Sequence, residues 1–266
     1  MNTHFFKSNW IIKKLYKMIW DLNHHFRYYQ AQYFKLTKFK NDFNYFKSNS
    51  QLVDNRFFKV SWKERCVLLS DDTSNTDFER HYVYFPAWAA RVLKIIKPQK
   101  LVDISSSLRF VAVVSAFIPT DFYDYRPAPL VLSNLSTKKG DLMDLPFADN
   151  SLPCVSCMHV VEHIGLGRYG DPIDYDGDLK AMSELSRVLA KAGSLLFVVP
   201  LGKPRIVFNA HRIYSYEQVI SGFPELTLKE FALIPENSKD GGLVYNPAKS
   251  LIDKQTYGCG CFWFTK

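Results

Sequence analysis

The chain has 266 residues, of which 47% are hydrophobic and 23% charged. That composition suits one large domain, or a domain with an appendage, and excludes a chain that is disordered throughout. The net charge of +8 is confined. Eleven Lys/Arg and three Asp/Glu fall within residues 1–60, and twenty-three of each fall within 61–266. The larger part is electrically balanced, which argues against a basic nucleic-acid-binding core.

Residues 1–60 form a basic, aromatic-rich arm. Ile11, Leu15, Met18, Leu22, Phe26, Tyr29 and Tyr33 recur at three- and four-residue steps, the period of a helix with one apolar face. Lys13, Lys14, Lys17 and Arg27 lie mostly off that face. Three readings follow. The arm is a helical appendage packed on the rest of the chain or on a second copy. Or it is an interfacial helix drawn to an anionic membrane by lysine and anchored by Trp10 and Trp20. Or its aromatics stack single-stranded nucleic acid. The balanced main part gives no reason to expect a nucleic-acid partner, so the expected contacts are self-association or a peripheral membrane surface. No apolar stretch approaches the ~20 residues of a membrane span, and no signal-like run follows the first lysines. A cytoplasmic protein is expected, or one held at the inner face of the membrane.

Of five cysteines, Cys154 and Cys157 form one close pair and Cys259 and Cys261 another. Both pairs sit in strand-like apolar segments. Residues three apart in a strand face opposite sides, so Cys154 and Cys157 diverge. Free core thiols are expected, and no metal site.

Residues 61–85 are expected to be a linker and lead-in, polar over 71–79. From Pro86 a helix with Trp88, Val92, Leu93, Ile95 and Ile96 on its core face runs to Pro98. Then come a strand (101–104), a serine turn (105–107), a helix (108–117) and a second strand (122–124). A weak third segment leads to Gly140-Asp141, and a fourth strand covers 154–159. A helix (178–190) precedes a fifth strand (194–199). A short helix (214–220), a strand (226–233), a polar insertion (235–258) and a last strand (259–264) close the chain. Strands alternating with helices indicate a mostly parallel sheet covered on both faces.

Ligands of such sheets bind outside the carboxyl ends of the strands. That rule selects Asp103 and Ser105–Ser107 after strand one, Asp124 after strand two, and Asp141 after strand three. After strand four it selects His159, Glu162, His163, Arg168, Tyr169 and Asp171. Asn209, His211 and Arg212 follow strand five. The other histidines, His81 among them, precede the expected fold. An acid ending strand two is a ribose-hydroxyl acceptor in nucleotide-binding sheets. The loop after strand one has no Gly-x-Gly-x-x-Gly, which weighs against a pyrophosphate-bearing dinucleotide.

The ordered set Asp103-Ile104-Ser105-Ser106-Ser107, Asp124, Gly140-Asp141-x-x-Asp144-Leu145-Pro146-Phe147-Ala148-Asp149-Asn150-Ser151, Cys157-Met158-His159-Val160-Val161-Glu162-His163 and Glu184-Leu185-x-Arg187-Val188-Leu189 resembles a class I S-adenosylmethionine-dependent methyltransferase over residues 86–266. His159–Asp178 and Phe208–Arg212 resemble an uncharacterised methyltransferase-like subfamily associated with surface-polysaccharide genes. The resemblance implies a Rossmann-like sheet, mostly parallel with an antiparallel last strand. It implies S-adenosylmethionine as cofactor, with Asp103 and Ser105–Ser107 at its methionine part, Asp124 on the ribose, Asp141 and Leu142 beside the adenine, and His159 below the sulfonium. For oxygen methylation of a sugar or glycan-linked acceptor in polysaccharide biosynthesis, His163, His159, His211 and Glu162 are the candidate bases. Arg168, Tyr169, Asp171, Asn209 and Arg212 would hold the acceptor. In one departure, Ser105 stands where the family has a glycine. That leaves open a catalytically silent module of the same fold. A nicotinamide-dependent oxidoreductase is the other alternative.

Asp171, Asp174, Asp176 and Asp178 place four carboxylates in eight residues. A calcium-type loop lacks its twelfth-position Glu here, and Asp178 as the cap of the following helix is the simpler expectation.

Overall fold

The computed structural model describes residues 4–50 and 58–266, with side chains from residue 13 onward in the first stretch. It divides into two units, Met1–Asp77 and Phe78–Lys266. In the first, helix α1 spans His4–Ser50 without interruption. Leu15, Met18, Leu22, Phe26, Tyr29 and Tyr33 are exposed along it. Ile11 of the expected stripe and the expected anchor Trp10 lie outside the described side chains, and residues 51–57 of the arm lie outside the described residues. The stretch expected as a linker partly folds back. The Trp62 ring packs against Phe43 at 4.8 Å and Phe39 at 6.0 Å, and Lys35 Nζ donates to the Leu69 carbonyl. Among the described residues no helix is long and apolar enough to cross a membrane.

The second unit opens with helix α2, Arg80–Ile96. It begins six residues earlier than expected, and Pro86 lies inside it rather than at its first turn. An interior proline costs a helix hydrogen bond. The helix is held instead by its buried face: His81, Phe85, Trp88, Ala89, Val92 and Leu93. There follow β1 (Leu101–Ile104), α3 (Leu108–Val114), β2 (Thr120–Asp124), β3 (Leu135–Lys139) and β4 (Leu152–Met158). Next are α4 (Gly177–Val188), β5 (Leu189–Leu201), β6 (Arg205–Val207), β7 (His211–Ile213) and α5 (Tyr216–Gly222). Last come β8 (Thr227–Ile234), β9 (Val244–Tyr245), α6 (Lys249–Asp253) and β10 (Gly258–Thr265). The expected insertion thus contains β9 and α6, and the hairpin β6–β7 was not expected.

The sheet order is β3-β2-β1-β4-β5-β10-β8-β9. The first five strands are mutually parallel, and β10 is antiparallel to both β5 and β8. This is a Rossmann-like sheet, mostly parallel with an antiparallel last strand. Alternation along β5 fills two cores. Leu195, Phe197 and Val199 join Met182, Leu185 and Phe223 beneath α4 and α5. Leu196 and Val198 join Phe85, Trp88, Phe110 and Val114 beneath α2 and α3. The cysteines follow the same alternation: Cys157 enters the first core, while Cys154, Cys259 and Cys261 share the second.

Two segments that carried the sequence resemblance prove to be one interlock. Arg187 donates to both oxygens of Glu184, to Asp149 Oδ1, and to the carbonyls of Leu145 and Phe147. Glu184 Oε2 in turn accepts the Leu145 N–H. These residues fasten α4 to the loop before β4, away from the carboxyl rim of the sheet.

Candidate active site

The rim has two halves. On the β1–β3 side, Asp103 ends inside the sheet rather than at the surface. It is fully buried. One oxygen accepts the Ser106 N–H at 3.0 Å and the other the Ser156 hydroxyl on β4. Burial pushes its carboxyl up to about 7. Its side chain therefore braces the loop and does not face a ligand, which corrects the expected contact with the methionine part.

Ser105 adopts φ +54. This is the left-handed region, where glycine sits without cost and a residue with a Cβ pays about 1–2 kcal/mol. Its N–H and its hydroxyl both donate to the Tyr123 carbonyl, at 2.7 and 3.1 Å. The serine thus keeps the backbone turn of a glycine and folds its side chain back onto β2. Ser106 Oγ accepts the Met158 N–H at 3.0 Å, tying the loop to the end of β4. Ser107 is the N-cap residue of α3, with no side-chain cap bond.

Asp124 is half-buried at the end of β2, and its Oδ1 accepts the Arg126 N–H at 2.7 Å. Asp141 Oδ1 accepts the Met143 N–H at 2.9 Å, and Leu142 beside it is buried. Asp124, Asp141 and the 105–107 turn therefore line the carboxyl ends of three adjacent parallel strands. A half-buried carboxylate with one oxygen on a backbone N–H keeps acceptor capacity for the hydroxyls of a ligand.

The β4–β5 half is an aromatic and imidazole cluster. His159, at φ +58, is fixed by its N–H to the Val198 carbonyl at 2.8 Å. Its Nδ1 lies 2.8 Å from Glu162 Oε1, and its Nε2 lies 3.4 Å from Cys259 Sγ. Both ring nitrogens are engaged, so His159 is not a free base. His163 Nδ1 donates to the Ala210 carbonyl at 2.6 Å, which leaves Nε2 with the lone pair, 3.8 Å from Glu162 Oε1. Glu162 is buried, and its Oε2 has no partner among the described residues. The His211 ring lies 5.2 Å from Tyr257 and 6.4 Å from His163. Burial, then the neighbouring His163, pulls its imidazole below the ordinary value.

The Tyr169 ring lies between two guanidinium groups, Arg126 at 4.8 Å and Arg168 at 5.1 Å, and edge-on to His163 at 5.7 Å. Arg126 comes from the loop after β2, so Tyr169 joins the two halves of the rim. Arg168 also donates to the Ala210 carbonyl at 3.1 Å.

Two expected acceptor residues are turned to structural partners instead. Arg212 is buried: it donates to the carbonyls of Ile164 and Tyr175 at 2.6 and 2.9 Å, and its Nε lies 3.5 Å from Asp178. Asp171 is consumed by the N–H groups of Gly165, Gly167 and Tyr169. Asn209 is exposed at the tip of the β6–β7 hairpin, next to Ala210, whose carbonyl meets His163 and Arg168. Nor does Asp178 cap α4. Asp176 is the N-cap residue, and Asp178 accepts the Tyr214 hydroxyl. Asp171, Asp174 and Asp178 thus have separate partners, the loop N–H groups, Lys180 and Tyr214, and among the described residues the four carboxylates of 171–178 form no metal-binding group.

Four further residues complete the site. His81, placed before the expected fold, stacks on His159 with ring centroids 5.3 Å apart and planes 13° apart. Tyr82 stacks on the same ring at 5.5 Å. Tyr257 lies 5.3 Å from His81, and Cys259 faces His159. Burial and the neighbouring His159 pull the His81 imidazole down to about 4, and burial pushes the Tyr82 hydroxyl up to about 12.

A family model described as "Caenorhabditis protein of unknown function, DUF268" matches residues 146–228. No curated protein matches the chain. Among solved structures, the chain is similar to the 1,6-didemethyltoxoflavin-N1-methyltransferase of Burkholderia thailandensis (10% identity, TM-score 0.49, 68% of this chain and 78% of that one). It is similar to the YcgJ protein of Bacillus subtilis (15%, 0.46, 68% and 97%). It is also similar to a SAM-dependent methyltransferase of Thermotoga maritima (14%, 0.44, 70% and 90%).

Proposed function

We propose that the 78–266 unit is an S-adenosylmethionine-dependent methyltransferase acting on a hydroxyl of a sugar or glycan-linked acceptor. One observation carries this reading. The rim is split into a carboxylate-and-serine half on β1–β3 and an imidazole half beyond β4, with the Met158–Ser106 bond and the Arg126–Tyr169 contact joining them. Asp124 would take the ribose hydroxyls. Leu142 and Asp141 would flank the adenine, and the Ser105–Ser107 backbone would border the methionine part. The cofactor, when bound, supplies a methyl group on a positively charged sulfur.

The chain's own share is positioning and proton removal. His163 is the best-placed base, because its Nδ1 proton is committed to Ala210 and its Nε2 is free to accept. Glu162 stands next to that nitrogen. Arg168 and Tyr169 lie in the same loop, where they would border the acceptor. The sugar class rests on the resemblance of His159–Asp178 and Phe208–Arg212 to a subfamily found among surface-polysaccharide genes. Incubation of the full chain with methyl-labelled S-adenosylmethionine and a panel of nucleotide sugars and lipid-linked glycans tests it. Label in a carbohydrate is the expected result. Label entering only another class of acceptor would overturn the sugar assignment.

The α1 arm stands apart from this chemistry. Its exposed stripe and off-stripe lysines support a docking role, on an anionic membrane surface or on a second copy of the chain.

A further inference from the structure

We infer that His81, His159 and Cys259 form a buried site for one zinc-class divalent cation. The three come from separate parts of the chain: the first turn of α2, the loop after β4 and the start of β10. Their ligand atoms all lie within 4.8 Å of one another, and all three residues are enclosed. Zn–S and Zn–N bonds of about 2.3 and 2.05 Å at a tetrahedral angle put sulfur and nitrogen ~3.6 Å apart. Cys259 Sγ and His159 Nε2 are 3.4 Å apart. Two imidazoles and a thiolate are the donors that zinc, or cobalt in its place, prefers over magnesium or calcium.

A further feature points to a cation rather than to a hydrogen-bonded pair alone. His159 directs Nδ1 to the Glu162 carboxylate at 2.8 Å, which leaves Nε2 as the lone-pair nitrogen facing the thiol. This carboxylate–imidazole arrangement is how metal-binding histidines are oriented. Among the described residues no fourth His, Cys, Asp or Glu joins the three, so one tetrahedral position is left for water. Binding the ion releases the Cys259 proton to solvent. The site does not depend on the methyltransferase reading. Should both hold, the open fourth position is where an acceptor hydroxyl would meet the ion.

The test is zinc content of the full chain. Protein stripped with a chelator is reloaded with zinc, dialysed and analysed for metal, and cobalt is substituted to look for a thiolate charge-transfer band. The expected result is one zinc per chain and a thiolate band with cobalt. Cys259→Ser and His81→Ala should lose both. Cys154→Ser, a buried thiol outside the cluster, should keep both. Glu162→Gln should weaken zinc affinity roughly 10–100-fold. Wild-type protein that retains no zinc and shows no thiolate band contradicts the site, even if every variant misfolds. Equal retention by folded Cys259→Ser also contradicts it. Neither readout requires S-adenosylmethionine or turnover, so failure here is distinct from failure of the proposed activity.

Discussion

The Oε1 atom of Glu162 lies 2.8 Å from Nδ1 of His159. The same oxygen is 3.8 Å from Nε2 of His163. One buried carboxylate therefore serves two imidazoles with different duties. His159 is held at both nitrogens, while His163 keeps a nitrogen able to take a proton. Replacing His163 by Ala should lower kcat by roughly 10²–10⁴, the worth of a positioned base. Affinity for S-adenosylmethionine should stay within about twofold, because none of the bonds His163 makes reaches the β1–β3 half of the rim. Steady-state kinetics together with a binding titration would check both parts, and an unchanged kcat would remove His163 from the chemistry.

Arg212 behaves as a buried clamp. Its guanidinium spans the Ile164 and Tyr175 carbonyls and Asp178, so truncation strands a buried carboxylate and two carbonyls. Arg212→Met should destabilise the chain by about 3–5 kcal/mol in denaturant unfolding. A loss below about 1 kcal/mol, accompanied by weakened acceptor binding, would restore the ligand-binding role expected from the sequence.

Asp103 makes stability depend on pH in an unusual direction. Its carboxyl is lifted from 3.8 to about 7, chiefly by burial. The folded chain therefore holds a proton that the unfolded chain has released between those values. The stability this provides is complete below about pH 4 and is lost as pH rises through about 7. Asp103→Asn should abolish that decline. The difference in unfolding free energy between wild type and variant, followed from pH 4 to 8, should shift steadily in the variant's favour. A pH-independent difference would show that Asp103 titrates normally.

The alternation of strands and helices made the parallel sheet and most of its rim legible. The rim rule works because chain position alone decides which residues follow a parallel strand. It does not fix where a side chain turns, and so Arg212 and Asp171 lie where the rule puts them but turn to structural partners. His81 was missed for another reason. Pro86 resembles a helix start, yet the spacing His81-Phe85-Trp88-Ala89-Val92 continues the buried face one turn and a half further back. In the sequence Cys259 pairs only with Cys261. Its functional neighbours arrive through α2 and the β4 loop, and no spacing in the sequence records that. The left-handed turn at Ser105 is signalled only by the resemblance, which puts a glycine at that position; serine itself gives no sign of it.

The α1 stripe should bind anionic vesicles through lysine attraction and aromatic burial. Paired Leu22→Asp and Phe26→Asp substitutions in the full chain should abolish co-sedimentation, and raised salt should weaken it in the wild type. Wild-type protein left wholly in the supernatant would leave self-association as the role of the stripe.

Asp124→Ala should weaken S-adenosylmethionine by about 1–3 kcal/mol, the scale for a lost hydrogen bond to a charged group. An unchanged affinity would show that the ribose is held elsewhere.

Calorimetric titration of the full chain with S-adenosylmethionine and, separately, with NAD tests the central claim most directly. Saturable binding of S-adenosylmethionine and no binding of NAD is the predicted result. Binding of NAD alone, or of neither, would contradict a methyltransferase.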